Sequence, residues 1–236
     1  MTQYLLALET SGRTGSLALL ADGSVRETKR LDEVGRRHAQ TLVSEIHDLL
    51  GRHGLTPQDL SAVAVSRGPG SFTGLRVGIV CAKTFAYAAG LKLLAIDTFD
   101  AIAAAAPEDA RVVQIVDDAQ RGDLFVATFR RGSDGKLTAD GPVTIAPAEV
   151  WVAAAEPDAL VLGPAAAALL DLGLRSRVAA EPAQNFPAAG VVGRLAWERF
   201  ARGEADDFWT AGPYYLRASA AEEKWALSQG GASPRA

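Results

Sequence analysis

The groups in this chain able to do chemistry are strand-end carboxylates, a glycine-rich turn, three histidines and one cysteine. The turn is the most telling. Residues 67–78 read Arg-Gly-Pro-Gly-Ser-Phe-Thr-Gly-Leu-Arg-Val-Gly and separate a short apolar run (62–66) from a long one (72–89). That order predicts strand, turn and helix, with Ser71 accepting from the first free N–H groups of the helix. Such a turn is a common anion site, because free N–H groups and the helix dipole favour negative charge. The register argues against a phosphate cradle. Gly68, Gly70 and Gly74 are spaced one residue too widely for a dinucleotide fingerprint, and no Gly-Lys-Ser/Thr follows. Pro69 also lacks the N–H that a phosphate would use.

The histidines do not make a metal site. His38 and His47 are nine residues apart, on opposite sides of a helix, and neither belongs to a His-x-x-x-His pair with His53. His38 reads as a helix-start or interface residue. Cys81 is the single cysteine, which excludes an internal disulfide, and nothing near it in sequence would lower its pKa. It is expected to be a buried structural thiol.

Within the helix after the turn, Gly74, Gly78, Ala82 and Ala86 recur every fourth residue and share one face. Each glycine costs about 1 kcal/mol relative to alanine in a helix, so close approach of another backbone should offset it. Two readings stand open. The face packs on the protein's own sheet or a neighbouring helix, or it docks a second polypeptide.

These groups need elements to hold them. The 236 residues are 48% hydrophobic and 22% charged, which describes a globular chain with ample core. No apolar run reaches the ~18 residues of a membrane span, and the start, Met1 to Leu8, has no basic region or secretory cleavage site. A cytoplasmic location with no membrane partner is expected. Net charge is −4, a poor basis for gripping nucleic acid through its phosphates.

The organisation is a repeat. Residues 5–8 are apolar, 9–15 turn, 16–21 are apolar again, and Asp22-Gly23 turns into 24–29. The same order returns about 107 positions later, with Glu9 and Asp117 each ending a first strand. Helices are predicted over 36–50, 72–89, 98–106, 147–155 and 187–202, strands over 92–96 and 159–162, and a short helix over 222–227. An α/β fold follows: two related subdomains of mixed sheets flanked by helices, around a cleft. The expected limits are 1–105 and 106–228, the helix near 187–202 packing back on the first half, with a disordered tail over 229–236.

A duplicated strand–hairpin unit ending in a carboxylate resembles the actin, Hsp70 and sugar-kinase (ASKHA) superfold. Within it, residues 67–78 resemble the bacterial TsaB (YeaZ) family, as do residues 8–11, His38, residues 117–122 and Pro213-x-Tyr215-Leu216-Arg217. The likeness reaches to about Lys224; Ser44 stands where many relatives have proline. It implies a non-catalytic, dimerization subunit required for N6-threonylcarbamoyladenosine (t6A) at position 37 of tRNA. The implied partners are a catalytic paralogue, TsaD, and an ATPase, TsaE, with tRNA met only through the complex and a homodimer formed when alone. It implies no catalytic residue, metal or cofactor of its own; any weak nucleotide binding belongs to the complex. The implied pairing surface lies on the first two helices, with His38, Leu42, Ile46, Gly74, Arg76, Gly78, Ala82 and Ala86 as candidates. The rival class is an ATP-binding or ATP-hydrolysing enzyme working in its own cleft through Glu9 and Asp117. Its late region, Leu162-Gly163-Pro164 followed by alanines, is short of the glycines an adenosine site needs. A peptidase reading fails for want of a metal dyad or a base beside Ser71.

Overall fold

Strand β1 (Tyr4–Glu9) sends Leu6 and Leu8 into one apolar cluster and Leu5 and Ala7 into another. Alternate side chains leave a strand on opposite faces, so this strand must be covered twice. In the computed structural model helices cover it on both sides. The structure describes residues 1–12, 14–31, 38–179 and 182–217, with backbone alone for 38–40, 182 and 183.

β1 turns back as β2 (Ser16–Ala21), which pairs with β3 (Ser24–Arg30) across Asp22 and Gly23, both at positive φ as a tight hairpin requires. After α1 (His38–Arg52), β4 (Leu60–Gly68) joins β1 in parallel; α2 (Phe72–Ala89) then leads to β5 (Lys92–Asp97), parallel to β4. The sheet order is β3-β2-β1-β4-β5. Leu42, Ile46 and Leu49 of α1 and Ile79, Ala82 and Ala86 of α2 close over Leu6, Leu8, Val63 and Val65.

A short helix, α3 (Thr98–Ala103), leads to the second sheet, and the pattern recurs. Strands β6 (Val112–Asp118), β7 (Asp123–Arg131) and β8 (Leu137–Ala139) run antiparallel in turn, with β9 (Thr144–Pro147) also pairing with β7. Helix α4 (Ala148–Ala154) precedes β10 (Leu160–Leu162), parallel to β6, and β11 (Arg177–Val178) lies parallel to β10. The order β8-β7-β6-β10-β11 repeats the first sheet strand for strand. The duplicated α/β fold therefore stands. The second copy's helices are much reduced: α4 has 7 residues where α1 has 15, and a five-residue 3₁₀ turn, Ala166–Leu170, stands where α2 has 18.

The last helix among the described residues, α5 (Ala189–Ala201), does not cover the sheet it follows. Ala189, Val192 and Ala196 press on Leu5, Ala7 and Leu20 of the first sheet. A Cβ at Gly193 would stand 2.4 Å from a Leu20 methyl, so the helix is seated as close as glycine allows. Helix α3 is shared in the same way, Ala101 joining the first sheet's cluster and Phe99, Ile102 and Ala103 the second's. The limits 1–105 and 106–228 stay a proposal, since α5 completes the covering of a sheet outside its own range.

α2 begins and ends where the sequence places it; α1, expected over 36–50, runs on through Gly51 to Arg52. Strands β9 and β11 and the 3₁₀ turns had no counterpart in the sequence reading, being four residues or fewer or lacking a period. The expected helix over 222–227 and the tail over 229–236 lie outside the described residues.

Candidate functional site

The start of α2 is held by the loop after β1. Ser71 Oγ accepts from the Gly74 N–H at 3.3 Å, the predicted cap. The Ser71 N–H donates to the Ser11 carbonyl at 2.7 Å, and Thr10 Oγ1 donates to the Gly74 carbonyl at 2.8 Å. Beneath this lies Glu9, fully buried, its Oε1 accepting from the Ser11 N–H and hydroxyl, both at 2.6 Å. Oε2 faces the buried Ser66 hydroxyl without a well-formed hydrogen bond. Burial pushes the Glu9 carboxyl above its usual value, and the Ser11 bonds only partly oppose this. Glu9 thus holds the loop that seats α2 and is withdrawn from any cleft.

This arrangement has a pH signature. A carboxyl whose pKa is higher folded than unfolded stabilises the fold fully below the unfolded value, and that contribution fades as pH rises through the folded one. Glu9→Gln keeps the neutral shape and removes the ionisation. Its urea midpoint should fall less than the wild type's from acid to alkaline pH, and identical pH profiles would remove Glu9 from this role.

The small-residue stripe belongs to the same seat. A Cβ at Gly74 would lie 2.0 Å from the Thr10 carbonyl oxygen, and one at Gly78 2.2 Å from Thr10 Oγ1 and 3.3 Å from a Val65 methyl. Gly78, Ala82 and Ala86 are buried, as are Leu42 and Ile46 of α1, all within the protein's own core. Of the two readings of the stripe, close packing on the protein's own sheet is the one found. These residues are therefore corrected as surface candidates: the protein's own atoms fill the space beside Gly74 and Gly78, and Leu42, Ile46, Ala82 and Ala86 are buried in its core. Arg76 is exposed, and the side chain of His38, at the first residue of α1, lies outside the description.

The opposite side of α2 carries two open apolar side chains. Val80 and Tyr87, seven residues apart and so on one face, are 62% and 67% exposed, and Val43 on α1 is 66% exposed. Trp209, 74% exposed, packs its ring at 5.0 Å from Phe208 and edge-on to Tyr87 at 6.1 Å. Sequence reasoning missed this row. Its signal was there in Thr73, Arg76, Val80, Lys83 and Tyr87, a 3-4 spacing on the side away from the glycines.

After an isolated β-bridge from Asp206 to Leu93, residues 207–217 run back along the body in turns and extended chain. The Tyr214 N–H donates to the Arg67 carbonyl at 2.7 Å, Tyr215 stacks on Phe72 at 4.7 Å, and Arg217 reaches the β6–β7 turn. There Asp118 accepts from both the backbone and side-chain nitrogens of Gln120, so it braces its own turn. A cavity of about 340 Å³ lies between this segment and the ends of β4 and β5, with Arg67 and Asp206 on its wall. Both charges are engaged, Arg67 with Asp97 and Asp206 with Arg199. His53 faces Glu27 at 2.8 Å, and burial pushes the Cys81 thiol up to about 11, the behaviour of an inert thiol. Among the described residues no cluster of His, Cys, Asp and Glu could hold a metal, and no helix is long and apolar enough to cross a membrane.

Comparison with known proteins now bears on the geometry. A family model described as TsaD, tRNA N6-adenosine threonylcarbamoyltransferase, matches residues 32–225. A Bacillus subtilis protein named tRNA threonylcarbamoyladenosine biosynthesis protein TsaB is 28% identical, over 95% of this chain and 99% of its own. The Escherichia coli protein of that name is 29% identical, over 93% and 97%. YeaZ from Pseudomonas aeruginosa superposes with a TM-score of 0.73 at 28% identity, covering 91% of this chain and all of that one. The chain belongs to the TsaD/TsaB family, as a TsaB (YeaZ) member. A TsaB member built on this fold carries α1 and α2 side by side over one sheet, with the open row of Val43, Val80 and Tyr87 on their far side.

Proposed function

We propose that this chain is the non-catalytic TsaB-type subunit in making t6A at position 37 of tRNA, and that it works in the cytoplasm by pairing with a TsaD-type catalytic paralogue through α1 and α2. The observation that carries the reading is the exposed apolar row of Val80 and Tyr87 on α2, with Val43 on α1 and Trp209 beside it. Exposed aliphatic and aromatic side chains grouped on helix faces are what a homologous helix pair can cover. Arg76, exposed on α2, and His38, at the start of α1, are further candidates for that surface. A TsaE-type ATPase would join the pair, and tRNA would be met through the complex. Alone, the same face would pair two copies about a two-fold axis.

The rival reading, ATP turnover in its own cleft, draws on Glu9 and Asp117. The burial of Glu9 speaks against it, because a carboxylate sealed from solvent, with one oxygen bound to Ser11 and the other enclosed beside Ser66, cannot meet a hydrated cation. So does Gly163, where a Cβ would lie 2.1 Å from the Val116 carbonyl oxygen: the backbone of the late loop is shut against β6.

Two measurements on the purified full chain test the proposal. It should co-migrate on a sizing column with the TsaD-type protein of the same organism, and alone it should hydrolyse ATP no faster than buffer. Turnover without the partner, or separate elution at micromolar concentrations, would sink the reading.

A further inference from the structure

The segment 206–217 ties three places together. At its start, the Asp206 N–H donates to the Leu93 carbonyl and its carboxylate accepts from the Ala95 N–H, at 2.8 and 2.7 Å. In its middle it lies on α2: Lys83 Nζ donates to the Ala211 carbonyl at 2.8 Å, and Arg76 Nε donates to the Tyr215 hydroxyl at 3.0 Å with its guanidinium over the Phe72 ring. At its end Arg217 crosses to the second half, donating to the carbonyls of Ala119 and Gln120 and pairing with Asp123.

The turn that receives Arg217 is costly to hold. Gln120 and Arg121 both have left-handed backbones, at φ 68° and 61°, although neither is glycine. Left-handed side-chain-bearing residues are unfavourable and persist only where surrounding contacts over-determine them. Here the twist turns two successive carbonyls toward one guanidinium, whose charge-assisted hydrogen bonds are the stronger kind. Release of Arg217 would leave the bonds of Gln120 to Asp118 and the turn's own backbone bonds, a looser hold on the same strained shape. A turn with a held and a relaxed form is a two-state element, which energetic coupling between distant places requires.

We propose that residues 206–217 form a strap coupling the outer face of α2 to the 119–123 turn of the second half, so that a partner seated on α2 changes how firmly that turn is held. Arg76 and Tyr215 are the near anchor and Arg217 the far one. The partner arm of this inference rests on the pairing proposed above; the coupling within the chain does not. By reciprocity, loosening the far anchor changes partner affinity in the same proportion as the partner changes the turn.

Hydrogen exchange on the full chain separates the two. The reporters are the Asp123 N–H, bonded to the Gln120 carbonyl, and the Ala119 N–H, bonded to that of Asp123. Without any partner, Arg217→Ala should speed exchange at both by roughly tenfold, and Arg217→Lys by less, since a single ammonium cannot replace the planar fork. Arg76→Ala and Tyr215→Phe should also speed these amides, although neither residue touches the turn. If Arg217→Ala alone moves them, the strap is two unconnected contacts and the proposal is overturned. With the TsaD-type partner added, exchange at the turn should change in the wild type and stay fixed in Arg217→Ala. A partner that binds and leaves the wild-type turn unchanged overturns the coupling to docking. A partner that fails to bind overturns the pairing, while the partner-free comparison still reads the strap.

Discussion

Gly74→Ala is expected to destabilise the fold by about 3 kcal/mol or more, while Gly51→Ala stabilises it by up to about 1 kcal/mol. Both glycines lie inside helices at backbone angles an alanine can adopt, so helix propensity favours both changes equally. Their surroundings reverse one of them. A Cβ at Gly51 would meet nothing within 4 Å, whereas at Gly74 it would stand 2.0 Å from the Thr10 carbonyl oxygen, a backbone atom with no rotamer to yield. That same loop hangs on Glu9 and Ser11, so the clash would reach the buried carboxyl. Urea unfolding of the two variants against wild type is the measurement. Equal effects of either sign would mean that the start of α2 is not wedged against the β1 loop as described.

The second large effect concerns association and not folding. Val80→Asp should weaken pairing with the TsaD-type partner by about 30-fold or more, the loss expected when a central apolar anchor of an interface becomes a desolvated charge. Val80 is 62% exposed, so stability should shift by no more than about 0.5 kcal/mol. Val150→Asp is the matched control: equally exposed, also on a helix, but on α4 in the second half. Titration calorimetry or a sizing column reads both. Undiminished pairing in Val80→Asp would remove the α2 outer row from the interface. Gly78→Leu, which the four-residue spacing would suggest as an interface probe, reports on folding, because Thr10 and Val65 already occupy its space.

The contrast between these two variants shows where sequence reading reached and where it stopped. The helix from Phe72 to Ala89 was legible to the residue because its start and end are local chemistry: Ser71 caps one end and Gly90, in a left-handed conformation, closes the other. The repeated hairpin and its strand-end carboxylates were legible because turn residues and two-residue periodicity also act locally. What could not be read was which side of a helix faces inward when both sides carry an argument. On α2 one side is small and the other holds Val80 and Tyr87, and either could be a contact surface. The almost wholly buried strands β1 and β4 decide it, since their packed faces need a helix that comes close. The crossing of α5 to the first sheet brings a second small-residue face, Ala189, Gly190, Gly193 and Ala196, against its other side.

By itself, then, the amino-acid order determined the longer elements, their duplication and the kinship with TsaB, all of which rest on spacing within short stretches of chain. Tertiary structure decided the rest. It buried Glu9, it assigned the glycines of α2 to the protein's own sheet, and it brought Arg217 to a turn 94 residues away at Asp123. Each of these depends on what a side chain meets across space, and a local pattern compatible with two neighbours cannot choose between them until the whole chain has packed.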